Sequence, residues 1–221
     1  LASVQTSRGS LAQIPIVGIV GGVGAGKSSV VQHVKSFRLF VIDADRIGHR
    51  QLQVSDILDQ IVEAFGSQVL DSTGRIDRPS LAAVVFGDSL ESTRRRTQLN
   101  EIMHPAIREE ILRQIQSAPQ DAEIIILDAA LLLEAGWADV CEAIIFVDTP
   151  LAIRQERVAV TRGWSVEELE RREASQWSLH RKRECSHYVV DNSGTPQNAA
   201  VQMEKILHAI VGKRTVLQRP D

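Results

Sequence analysis

The residues of this chain best suited to chemistry stand near its beginning, in the run Gly21-Gly22-Val23-Gly24-Ala25-Gly26-Lys27-Ser28. Their spacing is G-x-x-x-x-G-K-[ST], directly after an apolar stretch and directly before one free of helix breakers. Glycines there let successive backbone N–H groups turn inward around an anion, where side chains would block a phosphate. A helix that follows aims its unsatisfied N–H groups and the positive end of its dipole at the same point. The Lys27 ammonium then reaches the outer phosphates of a nucleotide, and the Ser28 hydroxyl is a ligand for Mg²⁺. A glycine-rich turn without a ligand is the plainer reading, and the flanking strand and helix patterns weigh against it.

Carboxylates supply the second set. Asp128 closes the apolar run Ile124-Ile125-Ile126-Leu127, so it emerges at the carboxyl end of a buried strand, the edge where such sheets bind ligands. It is read as a group acting on Mg²⁺ directly or through water, with a helix N-cap as the alternative. Asp43-Ala44-Asp45 follows another apolar run. In an extended conformation its two carboxylates point the same way, and one of them could take the proton of an attacking hydroxyl. Capping and turn chemistry is the equal alternative for this pair.

These groups need a scaffold. Five short apolar, β-branched runs, 14–20, 39–42, 124–127, 143–147 and 188–190, have the length and continuity of strands covered on both faces. Helical stretches separate them, among them Lys27 to Ser36 and a last helix with Thr195 as N-cap and Pro196 at its first position. The alternation predicts an α/β doubly wound domain with a parallel sheet. Residues 46–118 are too long for one crossover and read as a helical insertion. In it Ile57, Leu58, Ile61, Val62 and Phe65 share a face capped by Ser55 and closed by Gly66, while Leu81, Val84 and Val85 share another closed by Gly87. His104-Pro105 breaks a helix, after which Ile107, Ile111 and Ile115 recur every four residues. A second insertion, 151–183, is rich in arginine.

Composition narrows the classes. At 221 residues and 43% hydrophobic content the chain can bury one substantial core plus a subdomain. A net charge of −3 gives no long-range pull on polyanions, which argues against a nucleic-acid partner. Arg outnumbers Lys by 20 to 5, a bias that suits bidentate phosphate contacts. Cys141 and Cys185 lie far apart and outside any metal spacing, which fits a reducing cytoplasm. No run is long enough for a membrane span. Residues 1–13 read as a disordered extension and 212–221 as a tail, leaving 14–45, 119–150 and 184–211 for the nucleotide-binding core.

Several further runs carry a resemblance. Val41-Ile42-Asp43-Ala44-Asp45, Ile76-Asp77-Arg78, Leu99 to Pro105, Leu127-Asp128 with Leu131 to Glu134, and Tyr188 to Gly194 resemble, in order and spacing, the dephospho-coenzyme A kinase family. The likeness extends over roughly residues 14–211. It implies a three-layer P-loop NTPase fold with a five-stranded parallel sheet, a helical substrate-binding insertion and a helical lid. It also implies ATP-dependent phosphorylation of the ribose 3′-hydroxyl of dephospho-coenzyme A, with Mg²⁺ as cofactor.

Carried over position by position, Asp45 resembles the family's catalytic base. Arg78, His104 and Glu134 resemble its acceptor pocket, and Asn192 with Gly194 the place where adenine is held. The loop residues Gly22 to Ser29, Ser29 included, take the ATP phosphates, and Ser28 with Asp128 the metal. Arg157, Arg162 and Arg172, with Gln176 and Lys182, match the lid pattern; of these Arg157 and Arg162 are the arginines expected to reach the transferred phosphate, where a guanidinium neutralises developing charge. A solvated helix face is the alternative for each arginine, since glutamates interleave with them. Trp137, Trp164 and Trp177 are read as packing groups. The sequence departs from the family pattern at Val20, Ser29, Ala130 and His187. Two rival readings stay open: another small-molecule P-loop kinase, acting on nucleosides, nucleotides or sugars, and a nucleotide-dependent switch.

Overall fold

The computed structural model of the chain describes residues 14–87 and 89–217. The extension read at 1–13 and the end of the tail lie outside them.

Each apolar run forms a strand, and every one ends one residue later than its pattern. The strands are β1 (Ile16–Gly21), β2 (Leu39–Asp43), β3 (Ile124–Asp128), β4 (Ala143–Asp148) and β5 (Tyr188–Asp191). The added residue is an aspartate in four of the five. All pairings are parallel, in the order β2-β3-β1-β4-β5. Parallel strands need crossovers that cover the sheet with helices, which is why these runs are apolar on both faces.

The period of two then sorts the side chains. Val17, Ile19, Ile124, Ile126, Ala143, Ile145, Val147 and Val190 face α1 (Lys27–His33) and α9 (Pro196–Leu217), where Val30, Val31, Ala199, Met203 and Leu207 complete one buried cluster. On the opposite face Gly18 lies against Leu132 and Cys141. Helix α1 is shorter than its pattern, since Val34 turns extended and donates its N–H to the Val31 carbonyl. Helix α9 starts as expected: Pro196 is its first residue, and the Asn198 N–H reaches Thr195 Oγ1 at 3.3 Å.

Two compact units divide the described residues: one runs up to Asp43 and resumes at Ile115, and the other lies between Ala44 and Gln114. The second contains α2 (Ala44–Gln51), α3 (Ser55–Phe65), α4 (Arg78–Val85) and most of α5 (Leu90–Gln116). Two expectations change here. Helix α3 has Val54, not Ser55, at its capping position and no side-chain cap; Val54 O instead accepts from Ile57 and Leu58. Gly66 closes it at φ 83°, as its sequence predicts. The stronger cap is one the pattern did not single out, Asp77, which accepts from the Ser80 N–H at 3.0 Å ahead of α4. His104-Pro105 does not end a helix either. Helix α5 runs through Pro105, because Met103, Ile107, Ile111 and Ile115 form one buried stripe on both sides of it, and burial of that stripe outweighs one missing N–H.

The arginine-rich segment folds as α6 (Leu151–Arg162), α7 (Val166–Ala174) and α8 (Leu179–Glu184). None of the described helices is long and apolar enough to cross a membrane.

Candidate active site

The turn between β1 and α1 has the geometry its glycines predict. Gly24 and Gly26 take φ of 75° and 79°, values that side-chain-bearing residues rarely adopt. There is no room for a side chain either. A Cβ at Gly24 would meet Val158 Cγ1 at 2.8 Å and the Arg154 carbonyl at 3.0 Å, and one at Gly26 would meet an Arg157 nitrogen at 2.9 Å. Helix α1 opens at Lys27, so its first-turn N–H groups have no intrahelical acceptor and face the loop.

A cavity of about 350 Å³ lies over this loop. Gly24, Ala25, Gly26, Lys27, Ser28 and Ser29 line one side, Arg157, Thr161 and Arg162 of α6 another, and Asn192 and Pro196 a third. Gly22 and Val23 lie at the foot of the loop outside its wall, and Gly194 is exposed ahead of α9, also outside it.

Register explains how Asp128 meets Ser28. Asp128 has the same parity as Ile124 and Ile126, so it projects toward the face that carries α1. Ser28 Oγ donates to Asp128 Oδ2 at 2.6 Å. No helix begins after β3, where turns lead to a short 3-10 segment at Trp137–Val140, so the N-cap alternative for Asp128 is overturned. A hydroxyl and a carboxylate are hard oxygen donors suited to Mg²⁺, which takes one or two protein ligands and completes its shell with phosphate and water. The described residues hold no cluster of three or more His, Cys, Asp or Glu able to cage a metal alone.

Asp43 stands in register beside Asp128. The chain turns helical at Ala44, so Asp43 ends a strand while Asp45 occupies the first turn of α2. The extended geometry read for the pair does not hold past Asp43. Asp45, Arg78 and His104 all belong to the unit 44–114: Asp45 and Arg78 are exposed at the starts of α2 and α4, and His104 is half-buried in α5. Burial lowers the His104 pKa from its ordinary 6.5.

Glu134 belongs to the other unit, in a buried polar cluster. Its Oε1 accepts from the Trp177 N–H at 2.8 Å and lies 3.0 Å from Lys182 Nζ. Lys182 is 0% exposed and also donates to the Ala130 carbonyl and to Gln176 Oε1, both at 2.8 Å. Desolvation lowers its pKa; Glu134 opposes that shift, and the Lys27 charge adds to it. Gln176 and Lys182 thus fasten α8 to the loop after β3.

The arginines separate into distinct roles. Arg157 donates to the Ala25 carbonyl at 3.2 Å and lines the cavity. Arg162 lines it too, with its guanidinium 4.6 Å from the centre of the Trp164 ring. Arg172 stacks on that ring at 4.2 Å and donates to Glu168 at 2.6 Å. Trp164 is therefore a cation–π platform for two arginines more than a core group, and Trp177 does the same for Arg181 at 3.3 Å. Only Trp137 is buried packing.

Sequence patterns did not single out Thr149, Arg154 and Glu173. Thr149 Oγ1 donates to the Ala25 carbonyl at 2.9 Å, as does Asn192 Nδ2 at 2.8 Å. Arg154, 4% exposed, pairs with Glu173 and donates to the Thr149 carbonyl at 3.1 Å. A faint signal was present, since Arg154 and Glu173 each stand four residues from a buried apolar residue, Val158 and Leu169, and so share the inward faces of α6 and α7. His187, where the chain departs from the family pattern, ties β4 to the approach of β5: its Nδ1 accepts from the Ile144 N–H at 3.0 Å, and its own N–H reaches the Ile144 carbonyl.

Known proteins resemble this chain over most of its length. The family described as "Dephospho-CoA kinase" matches residues 15–198. The dephospho-CoA kinase of Enterococcus faecalis is 35% identical over 200 residues, covering 90% of this chain and 98% of that protein. Among solved structures, TT1252 from Thermus thermophilus superposes with a TM-score of 0.75 at 28% identity, covering 90% of this chain and 98% of that one. The dephospho-CoA kinase from Campylobacter jejuni does so at 0.57 and 20% identity, covering 89% and 98%, a likeness of fold.

Proposed function

Because this chain belongs to the dephospho-CoA kinase family, we infer that it transfers the γ-phosphoryl group of ATP to the ribose 3′-hydroxyl of dephospho-coenzyme A, giving coenzyme A and ADP. The match over residues 15–198 carries this reading. The loop geometry supports it, because positive-φ glycines and the open end of α1 offer an anion the N–H groups it needs.

The roles follow from the chemistry of a transfer with diffuse charge, in which positioning and electrostatics do most of the work. Lys27 and the amides from Gly24 to Ser29 hold the phosphates. Ser28 and Asp128 hold Mg²⁺, which when bound supplies positive charge to the phosphate oxygens. Asp45 accepts the proton of the attacking hydroxyl, while Arg78, His104 and Glu134 recognise the acceptor. The Glu134 contribution includes Oε2, a buried oxygen with no hydrogen-bond partner in the chain. Asn192 has a buried Oδ1 in the same state, and because its Nδ2 is committed to Ala25, Oδ1 is left to accept from the exocyclic amine of adenine. Residues 151–183 act as the lid; Arg157 and Arg162, already at the cavity wall, bring guanidinium charge to the transferred group. The exposed free thiol of Cys185 suits the reducing cytoplasm.

The test is ADP release with ATP and a panel of acceptors. Dephospho-coenzyme A is expected to be turned over at least about tenfold faster than nucleosides or sugars at equal concentration, a margin of roughly 1.4 kcal/mol. A nucleoside used equally well would reject the assignment. In the same assay Asp45→Asn keeps ATP binding and loses turnover by two orders of magnitude or more, within the usual range of about 10²–10⁴ for a general base; unchanged turnover would remove Asp45 from the mechanism.

A further inference from the structure

Val23, in the phosphate loop, is held at both ends of its backbone by one ion pair. Glu173 Oε1, from α7, accepts the Val23 N–H at 3.1 Å. The Arg154 guanidinium, from α6, pairs with that carboxylate and approaches the Val23 carbonyl at 3.4 Å. Both charges are largely withdrawn from water, with side-chain exposures of 5% and 22%. They also press on the loop itself: a Cβ at Gly22 would lie 3.0 Å from each of them. A third contact, from Arg154 to the Thr149 carbonyl, ties the pair to the end of β4.

A carboxylate bonded to a loop that receives phosphates is an unexpected neighbour, since it puts negative charge beside the place where more must bind. Arg154 cancels that charge where it stands. We propose that Arg154 and Glu173 are positioning residues for the kinase reaction: together they form a charge-balanced clasp that orients the Val23 peptide and couples helices α6 and α7 to the phosphate loop. The proposal rests on ATP occupying that loop. Its physical content is an asymmetry. A buried ion pair with a purely structural role loses stability whichever partner is removed. A balanced pair beside an anion site responds in opposite directions: without Arg154 a bare carboxylate repels ATP, and without the Glu173 charge an uncompensated guanidinium attracts it.

The experiment compares wild type, Arg154→Gln, Glu173→Gln and the double variant, measuring ATP binding by titration calorimetry and ADP release with acceptor at low and high salt. Arg154→Gln is expected to weaken ATP binding on the order of tenfold, the scale of one unscreened charge a few ångström beyond contact. Glu173→Gln, whose amide oxygen still accepts from Val23, binds ATP at least as tightly as wild type yet turns over more slowly, because the loop is no longer tied to α7 by charge. The double variant returns to within about threefold of wild-type affinity, since it removes both unbalanced charges. If Arg154→Gln does not fold, Glu173→Gln and the double variant still decide. Weaker ATP binding in both single variants, or in Glu173→Gln alone, would overturn the clasp. Absence of ATP binding in the wild type would instead overturn the kinase reading beneath it.

Discussion

At the scale of single residues, the Ala25 carbonyl organises the phosphate site. It accepts from Thr149, Asn192 and Arg157, which come from the ends of β4 and β5 and from α6. A carbonyl has two good lone pairs, so the longest of the three contacts, from Arg157 at 3.2 Å, is the one most easily given up. Loss of the Arg157 contact would therefore leave the oxygen satisfied by Thr149 and Asn192. Thr149 has no such freedom, being 5% exposed with its hydroxyl committed. Thr149→Val, which keeps the shape and removes the donor, should raise the KM for ATP about fivefold, the equivalent of roughly 1 kcal/mol for one hydrogen bond. Thr149→Ser should recover most of it. Equal KM values in the two variants would show that the hydroxyl does not set the loop.

At the scale of elements, what could be read in advance depended on whether a signal was local. The five strands were legible because continuous β-branched runs of that length have few other uses. Their ends were not, because each closing aspartate looks like a turn residue although the ladder extends through it. The turn of the loop between β1 and α1 was legible, since its conformation is fixed by glycines within it, Gly24 and Gly26 at positive φ. Arg154, Glu173 and Thr149 were not, because their partners are distant in sequence and an arginine among glutamates reads as a solvated face until the fold brings Val23 to it. Helix α5 shows the opposite error. Pro105 is a strong local signal, overridden by a stripe of buried residues that spans it. Pro105 is itself exposed, so Pro105→Ala restores a helical N–H without disturbing the stripe. It should stabilise the protein by about 1–2 kcal/mol, part of the roughly 3 kcal/mol interior proline penalty being offset by a freer unfolded chain. Urea unfolding reads this directly, and a lower midpoint would show that α5 needs the distortion proline imposes.

For the molecule as a whole, stability carries a pH dependence that starts in α5. His104 is half-buried, and desolvation holds its pKa below 6.5. Between that lowered value and 6.5 the unfolded chain binds a proton that the folded chain refuses. Stability is therefore full above about pH 6.5, falls as the pH drops through the window, and levels off below the folded pKa. His104→Gln should flatten this slope in thermal unfolding between pH 7 and 5; an unchanged slope would place its origin elsewhere.

As a whole molecule, this family member is assigned the transfer of phosphate from ATP to one hydroxyl of one acceptor. Mass analysis of the product from purified protein, ATP, Mg²⁺ and dephospho-coenzyme A, followed by fragmentation to locate the new group, addresses that assignment most directly. A single added phosphate on the adenosine ribose 3′-oxygen, co-migrating with authentic coenzyme A, is the predicted result. Unmodified dephospho-coenzyme A alongside released ADP, or phosphate at another position, would contradict it.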